Sequence, residues 1–315
     1  MKSKSLYIHI LTILLTIAAY AYLFYRLATF DNYAAVIDNF SNARGSEWLC
    51  IIGVLLLMPL NVGCEAWKWQ VLMQDIEPMS SAEAQRQVYY GYVGAFVTPG
   101  RVGDYPARVL LLGNPSLWPT AVALGGVGTL AMYLVEVCLG VPASVLLAQY
   151  ETDIPWLSTL MVLILMVLLI GALPVVFKRL ARHQWRNTKL QLLINELATL
   201  APRRFLKVVL ISGLRYVIWM IQLTLALRFC GVMLTPAQLL LTIPAYYLLL
   251  GIVPSLPAAD IAVRGSLSLW IFGVFSPDTA GIAIAIALIW FCNTLLPMIV
   301  GTLVKKTNLQ PILIN

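Results

Sequence analysis

Thr98-Pro99-Gly100-Arg101-Val102-Gly103-Asp104-Tyr105-Pro106-Ala107-Arg108 is a stretch that one straight helix cannot accommodate. Pro99 and Pro106 each lack a backbone donor, and Gly100 and Gly103 relax the chain between them. A second stretch, Leu256-Pro257-Ala258-Ala259-Asp260-Ile261-Ala262-Val263-Arg264-Gly265, follows the same order of proline, small residues and Asp-x-x-x-Arg. Asp104 and Arg108, like Asp260 and Arg264, are four apart and share a face of any helix that follows the break.

These charged breaks stand in an apolar chain. Of 315 residues, 60% are hydrophobic and 11% charged, and the mean hydropathy is +0.85. A soluble domain is about a quarter charged. A soluble particle of this size cannot hide so much apolar surface, so the chain reads as an integral membrane protein. A secreted disulfide domain, a soluble nucleotide-binding enzyme and a disordered tail are excluded. Cys50, Cys64, Cys138, Cys230 and Cys292 lie in or beside apolar segments without metal-ligand spacing, and His9 and His183 are the only histidines. No nucleophile, phosphate-loop or zinc motif occurs. No catalytic residue, metal or cofactor is therefore expected, and the chain is not expected to be an enzyme.

Uncharged runs mark the spans. Leu6–Tyr25 is long enough to cross a bilayer. It is read as a retained first helix, although Ala19-Tyr20-Ala21 resembles a cleavage site. Further spans are expected at Trp48 to about Leu72, within Val109–Tyr150, at Ile154–Phe177, at Val208–Leu227 and at Thr279–Val304. The net charge of +7 follows topology rather than nucleic acid. Lys2 and Lys4, the basic loop 178–207 and Lys305 with Lys306 place both termini in the cytoplasm. That loop is also a possible contact for anionic headgroups. The tryptophans mostly flank spans, as interface anchors do.

Charge parity closes only if Gln87–Leu112 and residues 236–275 each cross twice or not at all. Each is rich in glycine and proline, so each reads as a re-entrant hairpin or a pair of broken helices. One opens from the cytoplasm and the other from outside, the pattern of an inverted repeat. The expected fold is an all-α polytopic membrane protein of about six to eight transmembrane helices with two broken segments. It forms a single domain over residues 1–315, with repeat halves of about 1–150 and 151–315.

Seven charged residues fall in membrane-associated sequence: Arg101, Asp104, Arg108, Glu136, Arg215, Asp260 and Arg264. Unpaired at mid-depth, they would cost roughly 17–25 kcal/mol together. They must pair or line a wet cavity. Arg101, Asp104, Arg108, Asp260 and Arg264 are the candidate substrate-binding residues, because excess cations in a broken segment suit a phosphate or another anion. Thr98, Pro99, Gly100, Gly103, Glu136, Arg215 and Pro257 are read as supporting them. Glu136 is expected to bridge to Arg215, with proton coupling as the other reading. Asn61, Glu65 and Lys68 share one helical face, and Lys68 is expected to snorkel to the interface beside Glu65. Tyr89, Tyr90, Tyr92 and Phe96 cluster before the first break, as aromatic packing or as a contact for lipid.

Phe96-Val97-Thr98-Pro99-Gly100-Arg101-Val102-Gly103-Asp104, with Arg108 and Leu110-Leu111-Leu112, resembles the TPGRxGE…R…LL motif of the lysylphosphatidylglycerol synthase transmembrane (flippase-like) family. Pro254–Gly273 is similar to its second motif, and Asn61 with Trp67 or Trp69 to residues of its second span. Ala258, Ala259, Gly265 and Asp104 depart from the family pattern, which has glycines, glutamate and glutamate there. The resemblance implies a polytopic inner-membrane protein that binds or flips lipids. The chain ends eleven residues after the last expected span, so the synthase activity of longer members is not expected. Two functions remain open: translocation of an anionic or lipid-linked headgroup, and a non-transporting accessory role in envelope glycolipid assembly. The expected partners are anionic or phosphate-bearing membrane lipids, and a second copy or an envelope-assembly protein.

Overall fold

A computed structural model describes residues 45–151, 160–165, 188–253 and 259–304, together with residues 21, 24, 25, 28, 29 and 179. Most of the expected first span, most of the span at Ile154–Phe177 and Pro257 lie outside the described residues. Within these, the chain is helical and contains no strand. The elements are α1 (Gly45–Met73), α2 (Ser81–Val97), α3 (Asp104–Val109), α4 (Trp118–Glu151), α5 (Thr188–Thr199), α6 (Pro202–Phe229), α7 (Pro236–Ile252), α8 (Asp260–Phe272), α9 (Thr279–Trp290) and α10 (Leu296–Thr302). Among the described residues, four helical stretches are long and apolar enough to cross a membrane: Trp48–Met73, Pro115–Tyr150, Pro202–Phe229 and Thr279–Thr302.

Local chemistry sets the helix starts. Ser80 accepts from the Glu83 amide at 3.2 Å, and Asp278 accepts from the Gly281 amide at 2.9 Å. Thr235 and Gln238 form a reciprocal capping box ahead of Pro236. Each supplies an acceptor to a first-turn amide that has no partner inside its helix. The last span is interrupted by a π turn at Phe291–Leu295.

Helix α6 organises the molecule. It packs along α1 and also touches α4, α7 and α9. Val208 and Ile211 near its start enter one apolar core with Trp69, Leu72, Val88 and Leu124. Leu223 and Leu227 near its end enter another with Tyr246, Phe272 and Ile286. Arg215 falls between these two sets along the helix.

The two proline-broken segments open at opposite ends of α6. Arg204, in the first turn of α6, pairs with Asp75 just beyond α1. Two residues on, Glu77 accepts from the amide of Gly113 at 3.2 Å. Residues 81–112 therefore begin and finish at the same end of the molecule. At the other end of α6, a Cβ on Gly281 would meet the Cys230 carbonyl oxygen at 2.8 Å. Residues 236–278 thus also begin and finish together, some 28 residues away along α6.

The first hairpin is built on close backbone approach. α3 folds back against α2, and a Cβ on Gly94 would collide with the carbonyl oxygen of Gly103. Thr98 fastens the break: its hydroxyl donates to the Gly94 carbonyl at 2.8 Å and accepts from the Gly103 amide at 2.8 Å. Gly100 and Arg101 both take φ of 59°, the left-handed region that glycine tolerates and arginine rarely enters. Thr98→Val keeps the shape but removes both hydrogen bonds. At about 0.5–1.5 kcal/mol each, the loss should lower the thermal unfolding midpoint in detergent, and Thr98→Ser should restore most of it.

Candidate functional site

The two broken segments face one cavity of about 490 Å3. Arg101 and Asp104 reach it from the first break, Asp260 and Arg264 from the second, and Glu65, Lys68, Glu136 and Arg215 from the long helices. Thr98 and Gly100 line it as well, while Pro99 and Gly103 shape the break without reaching the wall.

Glu65 is the electrostatic hub. It is 2% exposed and three cations converge on it. Lys68 Nζ lies 2.7 Å from Oε2, and Arg215 Nη1 pairs with the same oxygen. Arg108 Nη1 lies 3.0 Å from Oε1, an ion pair whose angles fall outside hydrogen-bond geometry. Arg108 Nε also donates to Asp104 Oδ1 at 2.8 Å, the i,i+4 contact expected from the spacing. The guanidinium lies 4.5 Å from the Tyr105 ring centroid and 5.5 Å from that of Trp69. Burying these ions is tolerable because each has an opposite charge within reach.

Three sequence-based expectations are corrected. Glu136 does not bridge to Arg215, which is held by Glu65 instead and also donates to Asn61 Oδ1 at 2.7 Å and to the Tyr92 hydroxyl at 3.2 Å. Lys68 does not snorkel: it is 2% exposed and turned inward. Arg108 does not line the cavity; it is 1% exposed, behind Asp104 and Glu65. In each case a buried carboxylate on α1 competes better for the cation than solvent or a more distant acid.

The second motif repeats the local geometry of the first. Arg264 Nε donates to Asp260 Oδ2 at 2.9 Å, and the Trp290 indole donates to the same oxygen at 2.9 Å. Tyr92 and Phe96 line the cavity, whereas Tyr89 and Tyr90 do not. Arg101 lies over the Tyr92 ring, 5.3 Å from its centroid. Three tryptophans depart from the interfacial pattern: Trp69 is buried, and Trp219 and Trp290 line the cavity.

Sequence reasoning missed an amide chain beside the hub. Asn61 Nδ2 donates to Asn293 Oδ1 at 3.0 Å, Asn293 Nδ2 to Gln222 Oε1 at 2.9 Å, and Gln222 Nε2 to the Val54 carbonyl at 3.0 Å. Asn293 sits in the π turn, a feature common at functional positions. Such a turn leaves no pattern in apolar sequence. The helical spacing of Asn61, Glu65 and Lys68 put the three on one face, but the expectation for that face was interfacial and not a buried hub.

A polytopic α-helical membrane protein with a charged cavity at the meeting of two broken segments is the class that this fold and site define. The chain belongs to the family described as "Lysylphosphatidylglycerol synthase TM region", which it matches over residues 10–301. No curated protein matches it.

Proposed function

We propose that the protein is a lipid translocator, not an enzyme, and that the cavity takes the phosphate or other anionic part of a headgroup. One observation carries this reading: side chains from both broken segments converge on a single charged cavity. The cavity wall carries four acids (Glu65, Asp104, Glu136, Asp260) and four bases (Lys68, Arg101, Arg215, Arg264), and Arg108 behind it adds a surplus positive charge. Family membership supports a lipid-related role in a membrane.

In this reading Arg101 is the phosphate ligand of the first break and Arg264 that of the second. Arg108 is a positioning residue that holds Asp104 and Glu65. The hairpins opening at opposite ends of α6, with matching Asp–Arg pairs, favour an inverted repeat in which rocking of one half exposes the cavity alternately to each side. The basic residues around the start of α6 support an orientation with that end in the cytoplasm of an inner membrane, both termini on the same side.

The test uses protein reconstituted into vesicles with acyl-labelled phospholipids and reads leaflet exposure by quenching from outside. Arg101 is exposed and has no ion pair among the described residues, so Arg101→Ala should elute as the wild type does. Translocation is expected to fall at least about tenfold, the loss of one charge-assisted contact of roughly 1.5–3 kcal/mol. Undiminished movement in this variant would remove Arg101 as the phosphate ligand, and no movement by the wild type would favour the non-transporting accessory role.

A further inference from the structure

Pairing the charges around the cavity leaves two over. Of the eight on its wall, Glu65, Lys68 and Arg215 are tied together, Asp104 is held by Arg108, and Asp260 by Arg264. Arg101 and Glu136 remain, of opposite sign, and neither has an ion-pair partner among the described residues. Arg101 is offered on the exposed loop of the first break. Glu136 is only 8% exposed yet reaches the cavity from the middle of α4. The Arg215 and Lys68 charges act on Glu136 without closing an ion pair, and a buried carboxylate left without a close cation on a cavity wall points to a positive group supplied by the ligand.

The surroundings of Glu136 fit that ligand. Its carboxylate packs on Gly251, where a Cβ would lie 3.0 Å from Oε2 and 3.3 Å from the Tyr133 ring. Gly251 is the penultimate residue of α7, and a helix C-terminus carries partial negative charge. Tyr133, Tyr247 and Trp219 line the same cavity, with the Trp219 and Tyr247 centroids 5.4 Å apart, and the Arg215 guanidinium lies 4.8 Å from the Trp219 centroid. A carboxylate, a helix C-terminus and aromatic faces all attract an organic ammonium.

We infer that the cavity takes a zwitterionic headgroup of the ethanolamine or choline type, phosphate on Arg101 and ammonium on Glu136. This rests on the translocator reading and names its substrate class.

The vesicle assay tests it with acyl-labelled phosphatidylethanolamine, phosphatidylcholine and phosphatidylglycerol run in parallel. The wild type is expected to move the two amine-bearing lipids about tenfold faster than phosphatidylglycerol. Glu136→Gln should erase that preference by slowing the two amine-bearing lipids to the phosphatidylglycerol rate, and Glu136→Asp should keep most of it. Tyr133 is 45% exposed, so Tyr133→Leu can weaken the preference a few-fold without threatening the fold and stands in if Glu136→Gln does not fold. Movement of phosphatidylglycerol alone, an equal loss for all three lipids in Glu136→Gln, or an unchanged preference with altered pH dependence would each overturn the ammonium site while leaving translocation standing. Movement of none of the three lipids by the wild type would overturn both.

Discussion

Glu65→Ala is expected to yield protein that does not survive extraction as a single monodisperse species. The substitution removes one carboxylate but strands three cations. Lys68, Arg108 and Arg215 are held by Glu65 and are almost wholly out of solvent. Removing one partner of a buried pair costs about 3–5 kcal/mol, a large fraction of the roughly 5–15 kcal/mol that holds a typical fold together. Asp104 can keep Arg108, and Asn61 can keep one contact to Arg215, so the damage concentrates on Lys68 and on mutual repulsion of the cations. Size-exclusion profiles and thermal unfolding in detergent measure it. Lys68→Met on the Glu65→Ala background should recover part of the loss, because it removes an orphaned charge. A Glu65→Ala protein as stable as the wild type would mean that water reaches these cations freely.

Gly94→Leu is the second large effect, and its cause is steric. The α2 and α3 backbones meet at this residue, where the Gly103 carbonyl and the Ala107 side chain occupy the space that any Cβ would need. A neighbouring side chain could rotate aside, but a carbonyl in the facing backbone cannot. The two arms of the hairpin must separate, which also pulls Thr98 from the Gly94 carbonyl and the Gly103 amide. Overpacking of a tight core costs about 1–3 kcal/mol or more, and the lost hydrogen bonds add to it. The expected outcome is loss of thermal stability together with loss of lipid movement. A proteolytic cut newly exposed near residues 98–103 would locate the damage. By contrast, Gly213 has open space around it, so Gly213→Ala should be neutral and serves as the control.

These two substitutions probe different kinds of information. The membrane character of the chain follows from composition, because apolar residues in long uncharged runs have no other stable environment. The ends of the main helices are also local. Ser80, Thr235 and Asp278 cap the residues just after them, the spans expected at 48–72 and 208–227 fall inside α1 and α6, and the span expected within 109–150 is α4, which starts at Trp118 after the turn at Pro115–Leu117. The breaks at Pro99–Gly103 and after Ile252 were legible for the same reason, since proline and glycine act on their own backbone.

Partner choice was not local. The sequence placed Glu136 and Arg215 as a pair because both were lone charges in apolar helices. The tertiary structure gives Arg215 to Glu65 because α1 packs along α6 and brings that carboxylate within contact, whereas Glu136 sits farther along the wall of the cavity. Periodicity put Lys68 and Glu65 on one face but carried no sign of whether that face met water or another helix. The i,i+4 pairs Asp104–Arg108 and Asp260–Arg264 could be read from spacing because both partners ride one helix. Sequence by itself thus determined the environment, the breaks and the two Asp–Arg pairs made within a single turn. Which charges are satisfied, and which two stand without an ion pair among the described residues, was decided only when helices far apart in the chain packed together, because Coulomb attraction depends on distance in space and not on separation in sequence.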